Sequence, residues 1–344
     1  MNTPAIKRIR LEGVNDVSHV QGMAIDRDRK YIYLSFTTKL VKVDSDGNIV
    51  GSVNGLIGHL GCIAYNYNDG MVYGSLEFKD DGIGKHILAA TRGKDAVLRN
   101  GFYAVRFDVD KIDRLDMDAE KDGIMTSVFL KEVTDDYEHE GHRYGCSGID
   151  GTTIAPDLEG ESENCLYIAY GIYSDTNRCD NDHQIIVKYI IDDLCFIPLN
   201  QEKMHKNGPN VPDGKYFVYT GNTNFGIQNL EYDPELKAML ACVYPGAKPE
   251  FPNYQLYFID CSTAPVTAEL KGVGEIGKML QLADLTDSGE VTPGSRFPHG
   301  STGIVALGGG YYCISLHIKN ENGFGCEIVT YKLDKSTLIM NEIN

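Results

Sequence analysis

The chain has 344 residues, more than a small domain holds, yet repeat folds and large β folds run to this length as one unit. Its 42% hydrophobic and 24% charged residues belong to the globular range and exclude collagen-like and disordered chains. A formal charge of −17, from 49 acidic against 32 basic residues and with no long Lys/Arg run, argues against nucleic acid and anionic lipid as partners.

The opening MNTPAIKRIRLEGV has no apolar secretory core, and no segment approaches the roughly 18 apolar residues of a membrane helix, so a cytoplasmic protein without a membrane span is expected. The nine cysteines are odd in number and scattered, and Cys62, Cys242, Cys313 and Cys326 lie inside apolar runs. That pattern predicts buried thiols rather than disulfides or a zinc knuckle.

In chain order, period-2 runs rich in Val, Ile, Tyr and Phe predict strands from end to end. A first group reads GMAID, YIYLSF, LVKVDS and GNIVGSV, with DSDGN as a hairpin turn. A second reads CIAYN, MVYGSLE, FYAVRFDV and SVFLKEV; a third reads IDGTTIA, CLYIAYG, QIIVKYI and KYFVYTG. The fourth reads QNLEYD, MLACVY, QLYFID and AELKGV, and the fifth TGIVAL, YYCISL and CEIVTYKL. Its outer strand is supplied by IKRIRLE from the N-terminus or TLIMNEI from the C-terminus. Only a short piece near Gly277 to Ala283 competes as a helix.

A phrase recurs at the head of each group: HVQGMAID, GHLGCIAYN, YGCSGIDG, FGIQNLEYD and HGSTGIVAL. A repeated unit of four strands is the signature of a propeller, so the expectation is one all-β domain over residues 1–344: a β-propeller of five four-stranded blades, its ring closed by one terminus. A β-sandwich is the competing architecture.

In a propeller the loops that enter the innermost strands share a face with the second-strand exits. On that face converge His19 and Gln21; His59; His142, Arg143 and Ser147; Asn224 and Gln228; Arg296, His299, Ser301 and Thr302; and, from the exits, Glu77, Tyr173, Asp175 and His317. His19, His59, His142, His299 and His317 are thus five of the nine histidines, and with Glu77 they are the expected ligands of a divalent transition metal such as Zn, Mn or Fe. Strand-end histidines that merely hydrogen-bond loop backbones are the plainer alternative. Asp150 and Glu231 fall at equivalent depths of adjacent blades, the arrangement of a general acid and base. The insertion FKDDGIGKHILAATRGKDAVLRN in the second blade is expected to be a lid bearing His86, Arg92, Lys94 and Arg99, and DTNRCDNDH is a turn.

The stretch from His19 to Val53 resembles the opening blade of the five-bladed plant-type glutaminyl cyclases, with Gln21, Gly22 and Met23 matching the family's turn. The family's catalytic Glu falls near Leu34 here, so the resemblance implies the fold and not the activity. Histidines with Gln around a metal are also similar to the sites of oligogalacturonate-type lyases.

The functional expectation is an enzyme of metal-assisted lyase or hydrolase type acting on a small polar, carbohydrate-derived or carboxylated molecule. Catalytic roles fall to Glu77, Asp150, Glu231 and His142, and substrate contacts to Gln21, Arg143, Tyr173, Gln228, Arg296 and Ser301. Two alternatives stand: a non-catalytic propeller that binds a ligand or a protein through rim loops such as PGAKPEFPN, and a metal-free glycosidase using Asp150 and Glu231.

Overall fold

The computed structural model describes residues 5–92, 99–162, 164–285 and 294–343. The period-2 runs pair into five antiparallel sheets that stand as blades in a ring, an all-β five-bladed propeller. Innermost strands are Val20–Ile25, His59–Tyr65, Cys146–Ala155, Asn224–Asp233 and Ile304–Gly308, each touching the next, with the fifth against the first.

Both faces of every blade are covered by a neighbouring blade, so the core is divided into five clusters, one in each gap. Burial on both faces explains why the strands read as near-continuous apolar runs. Tyrosine takes the place of the absent tryptophan. Tyr73, Tyr170 and Tyr216 are fully buried between blades, and each hydroxyl donates to a carboxylate (Asp69 at 2.6 Å, Asp136 at 2.9 Å, Glu159 at 2.7 Å), so burying the ring leaves no unpaired polar group. All nine cysteines are free thiols.

The recurring phrase has a steric cause. A Cβ at Gly22 would stand 2.8 Å from the Cys62 backbone on the next blade, and one at Gly303 would stand 2.9 Å from the Met23 side chain. Glycine lets the innermost strands close around the axis. In the fourth blade Asn229 occupies this position and bridges instead: its Nδ2 donates to the carbonyls of Gln21 (2.8 Å) and Ser301 (2.9 Å), linking three blades. Asn229→Ala leaves both carbonyls without a donor in the core, and a loss of about 2 kcal/mol in urea unfolding is expected.

Four expectations are corrected. The fourth blade has three strands, Asn224–Asp233, Ala238–Tyr244 and Leu256–Asp260. Its expected outer strand is displaced: Val266–Glu269 pairs with Ile276–Met279, which lies parallel to Gly214–Tyr219 at the edge of the third blade. Ile276–Met279 is therefore a strand where a helix was expected near Gly277. In the second blade the outer strand stops at Phe129, and the KEV of SVFLKEV opens a helix, Lys131–Glu138, that packs over the gap to the third blade. The outer edge of the fifth blade is shared: Ile9–Asn15 pairs with one end of the strand Gly323–Asp334 and Ile339–Glu342 with the other.

Candidate functional site

A cavity of about 260 Å³ opens where the innermost strands begin, lined by residues of the first four blades. The second-blade insertion reaches over it as a helix, α1, spanning Gly82–Arg92, and Ile83, His86 and Ile87 of that helix form part of its wall. Of the expected lid residues, His86 faces the cavity and Arg99 is exposed, while Lys94 and the Arg92 side chain lie outside the described residues.

At the floor is a chain of buried charges. Glu77, 4% exposed, accepts from Lys79 Nζ at 2.5 Å and from the Ile149 backbone N–H at 2.9 Å. Lys79 also donates to the Ser147 carbonyl at 3.0 Å. Burial disfavours the Glu77 carboxylate, but Lys79 and His59 outweigh it and hold the group below the usual range. Glycine makes room here too: a Cβ at Gly148 would lie 2.0 Å from Glu77 Oε2, and one at Gly61 would lie 2.2 Å from Asp150 Oδ1.

Two buried atoms on this floor have no hydrogen-bond partner, His59 Nδ1 and Asp150 Oδ1. His59 Nδ1 stands 3.4 Å from Glu77 Oε1, an ion-pair separation without hydrogen-bond alignment. Burial works against the imidazolium, but the carboxylates of Glu77 and Asp150 raise its pKa overall. Asp150, 8% exposed, is pushed up to about 7, chiefly by burial, with the Glu77 charge adding to it. A carboxyl pushed up to about 7 beside an imidazole whose protonated form is favoured by its carboxylate neighbours is a pairing that general acid–base catalysis can use.

The remaining expected site residues divide into two sets. Gln21, fixed by its bond to Thr37 Oγ1 at 3.0 Å, and Gln228 line the cavity, as does His19. Ser301 reaches its edge through the Tyr244 hydroxyl, and His317, exposed, meets the His19 ring edge-on at 5.3 Å. His142 does not join them: its Nδ1 lies 2.6 Å from the Tyr137 carbonyl, its ring is flanked by Tyr137 and Tyr173, and it opens onto a separate outer cleft. Arg143 lies in that cleft, paired with Glu275 at 2.7 Å. His299 packs against Phe297 and Tyr331 between the fourth and fifth blades, and Arg296 is exposed nearby. Glu231 lines a second cavity, of about 220 Å³, formed by the far ends of the innermost strands, and accepts the Ala306 N–H at 2.8 Å. Asp150 and Glu231 therefore line different cavities.

These residues do not fit a metal. Among the described residues no group of three or more His, Cys, Asp or Glu is placed to hold an ion. Lys79 supplies the reason, since its ammonium already occupies the Glu77 carboxylate that was to be the oxygen ligand. Lys79 was missed in the sequence, although its spacing of two from Glu77 puts both on one side of an extended chain. The rim loop PGAKPEFPN is anchored by Lys248, which is buried and bonds to Asp182 at 2.6 Å.

No protein-family model matches the chain, and no curated protein does. Among solved structures it is similar to the Dos1 propeller, at 10% identity and a TM-score of 0.37 over 95% of this chain and 58% of that one. It is similar also to a luciferin-regenerating enzyme, at 10% identity and a TM-score of 0.41 over 98% of this chain and 79% of that one. The chain thus spans little more than half the length of the first. No described helix is long and apolar enough to cross a membrane.

Proposed function

We propose that the protein is a small-molecule hydrolase acting at the first cavity by metal-free general acid–base catalysis, on an ester small enough for a volume of about 260 Å³. The supporting observation is Asp150 Oδ1, a buried carboxyl oxygen on the cavity floor with no hydrogen-bond partner, since a buried polar group left unpaired by the protein awaits a partner from the ligand.

In this reading ionised Asp150 takes a proton from water as the water oxygen adds to the ester carbonyl carbon. The protonated His59 ring donates to the oxygen that gains negative charge. The C–O bond to the alcohol then breaks, and the proton held on Asp150 passes to the departing oxygen. Glu77 and Lys79 are positioning residues: Glu77 keeps His59 charged, and Lys79 keeps Glu77 ionised. Gln21 and Gln228 are placed to orient the polar end of the substrate. In this reading the Lys79 ammonium, not a metal, neutralises the Glu77 carboxylate.

Hydrolysis of 2-naphthyl acetate tests the reading. Activity is expected to survive EDTA, and kcat/KM is expected to rise as Asp150 ionises near pH 7 and to fall at higher pH as His59 loses its proton. Activity lost to EDTA and restored by Zn or Mn would overturn the metal-free reading. Binding of 2-naphthol without turnover of any ester would make the cavity a binding site only.

A further inference from the structure

Phe225 sits at the head of the fourth blade's innermost strand, where the ladder to its neighbour is broken. Asn224 faces Tyr244 and Ile227 faces Val243, so Phe225 and Gly226 are looped out together. Phe225 has φ +65°, a conformation that places Cβ against the backbone and that large side chains rarely adopt. Its neighbours enforce it. Gly226, at φ +73°, packs so closely that a Cβ would lie 2.3 Å from the Tyr170 carbonyl, and Gln228 Nε2 donates to the Phe225 carbonyl at 2.9 Å.

Core packing does not repay this strain, because Phe225 is 43% exposed. Phe225 instead lines the cavity, with Tyr244 and with Ile83 and Ile87 of α1 also in the wall. Costly backbone geometry that persists without burial gain marks a position kept for a ligand. The geometry points to Phe225 as an aromatic platform that selects esters carrying a flat apolar ring, the polar ester end lying toward Asp150 and His59. The inference rests on the first cavity being the ligand site.

The test compares wild type with Phe225→Gly and Phe225→Ala. Both remove the ring, but only glycine is at ease at this φ, so F225G is expected to melt about 2 °C above F225A. Ligand recognition should ignore that difference. Calorimetric binding of 2-naphthol is expected to weaken about tenfold in both variants, and the ratio of kcat/KM for 2-naphthyl acetate over ethyl acetate to fall by a similar factor. Naphthol bound tightly by wild type and weakly by both variants, with neither ester hydrolysed, would keep the platform and remove the hydrolase reading. Equal naphthol binding in all three proteins, or none in wild type, would overturn the platform whatever the turnover.

Discussion

Asp150→Asn is expected to abolish most activity while making the protein more stable at alkaline pH. A positioned general base contributes up to about 10⁴-fold, so kcat/KM should fall by about 1,000-fold, with KM little changed because Asn retains the size and one acceptor of the carboxyl. The stability effect has the opposite direction. Burial lifts the Asp150 carboxyl from 3.8 to about 7, so between those values the folded protein holds a proton that the unfolded chain has released. Wild-type stability therefore falls as pH rises from about 4 to 7, and the full penalty, on the order of 4 kcal/mol, stands above pH 7. Asn carries no such penalty. Urea unfolding at pH 8 should place D150N above wild type, and at pH 3.5, where both states hold the proton, the two should nearly coincide. A variant that is inactive and less stable at both pH values would mean that Asp150 is a structural group.

The second large effect is expected at Lys79. Lys79→Met leaves buried Glu77 with the His59 imidazole, 3.4 Å from its Oε1, in place of the closer ammonium, and removing one partner of a buried pair typically costs about 3–5 kcal/mol. Glu77→Gln alone leaves the ammonium facing the Ser147 carbonyl and Asp81, so its cost should be smaller. The double variant replaces both charges and is expected to recover most of the loss, giving a coupling energy of about 3 kcal/mol or more in a double-mutant cycle. All three should lose activity through His59, whose proton depends on the Glu77 charge. Additive stability losses would show that the short contact between the two side chains carries no net energy.

The fold was legible because two rules that act locally, strand alternation and glycine at close backbone approaches, repeat once per blade. Gly22, Gly61, Gly148 and Gly303 mark four blades. Asn229 marks the fourth in chain order by making with its amide the inter-blade link that the others make by contact. Errors cluster where strand chemistry is indifferent to its partner. Val266–Glu269 has the composition of an outer strand, but its sheet was decided by Ile276–Met279 lying along the third blade, a long-range pairing that no local pattern encodes.

The site was legible where residues ride on innermost strands or on the exit of a second strand. Gln21, His59, Glu77, Asp150 and Gln228 meet for that reason. His142 and His299 were misplaced because they belong to loops whose own geometry turns them aside: His142 adopts φ +57° and is captured by the Tyr137 carbonyl. Glu231 sits four residues beyond Ile227 at the other end of its strand, and depth along the axis is not written in the alignment of phrases. The helix α1 lies within the insertion expected as a lid, and Ile83 and Ile87 carry the spacing of one helical face.

If Asp150 is the proton-transfer group of the cavity floor, its carboxyl changes protonation near neutrality, and infrared difference spectroscopy reads that change on the side chain itself. The carboxylic-acid C=O band that is present in wild type and missing from D150N should be followed against pH in the folded protein. A midpoint near pH 7 is predicted; a band that disappears below pH 5, as for an ordinary solvated aspartate, would contradict the account.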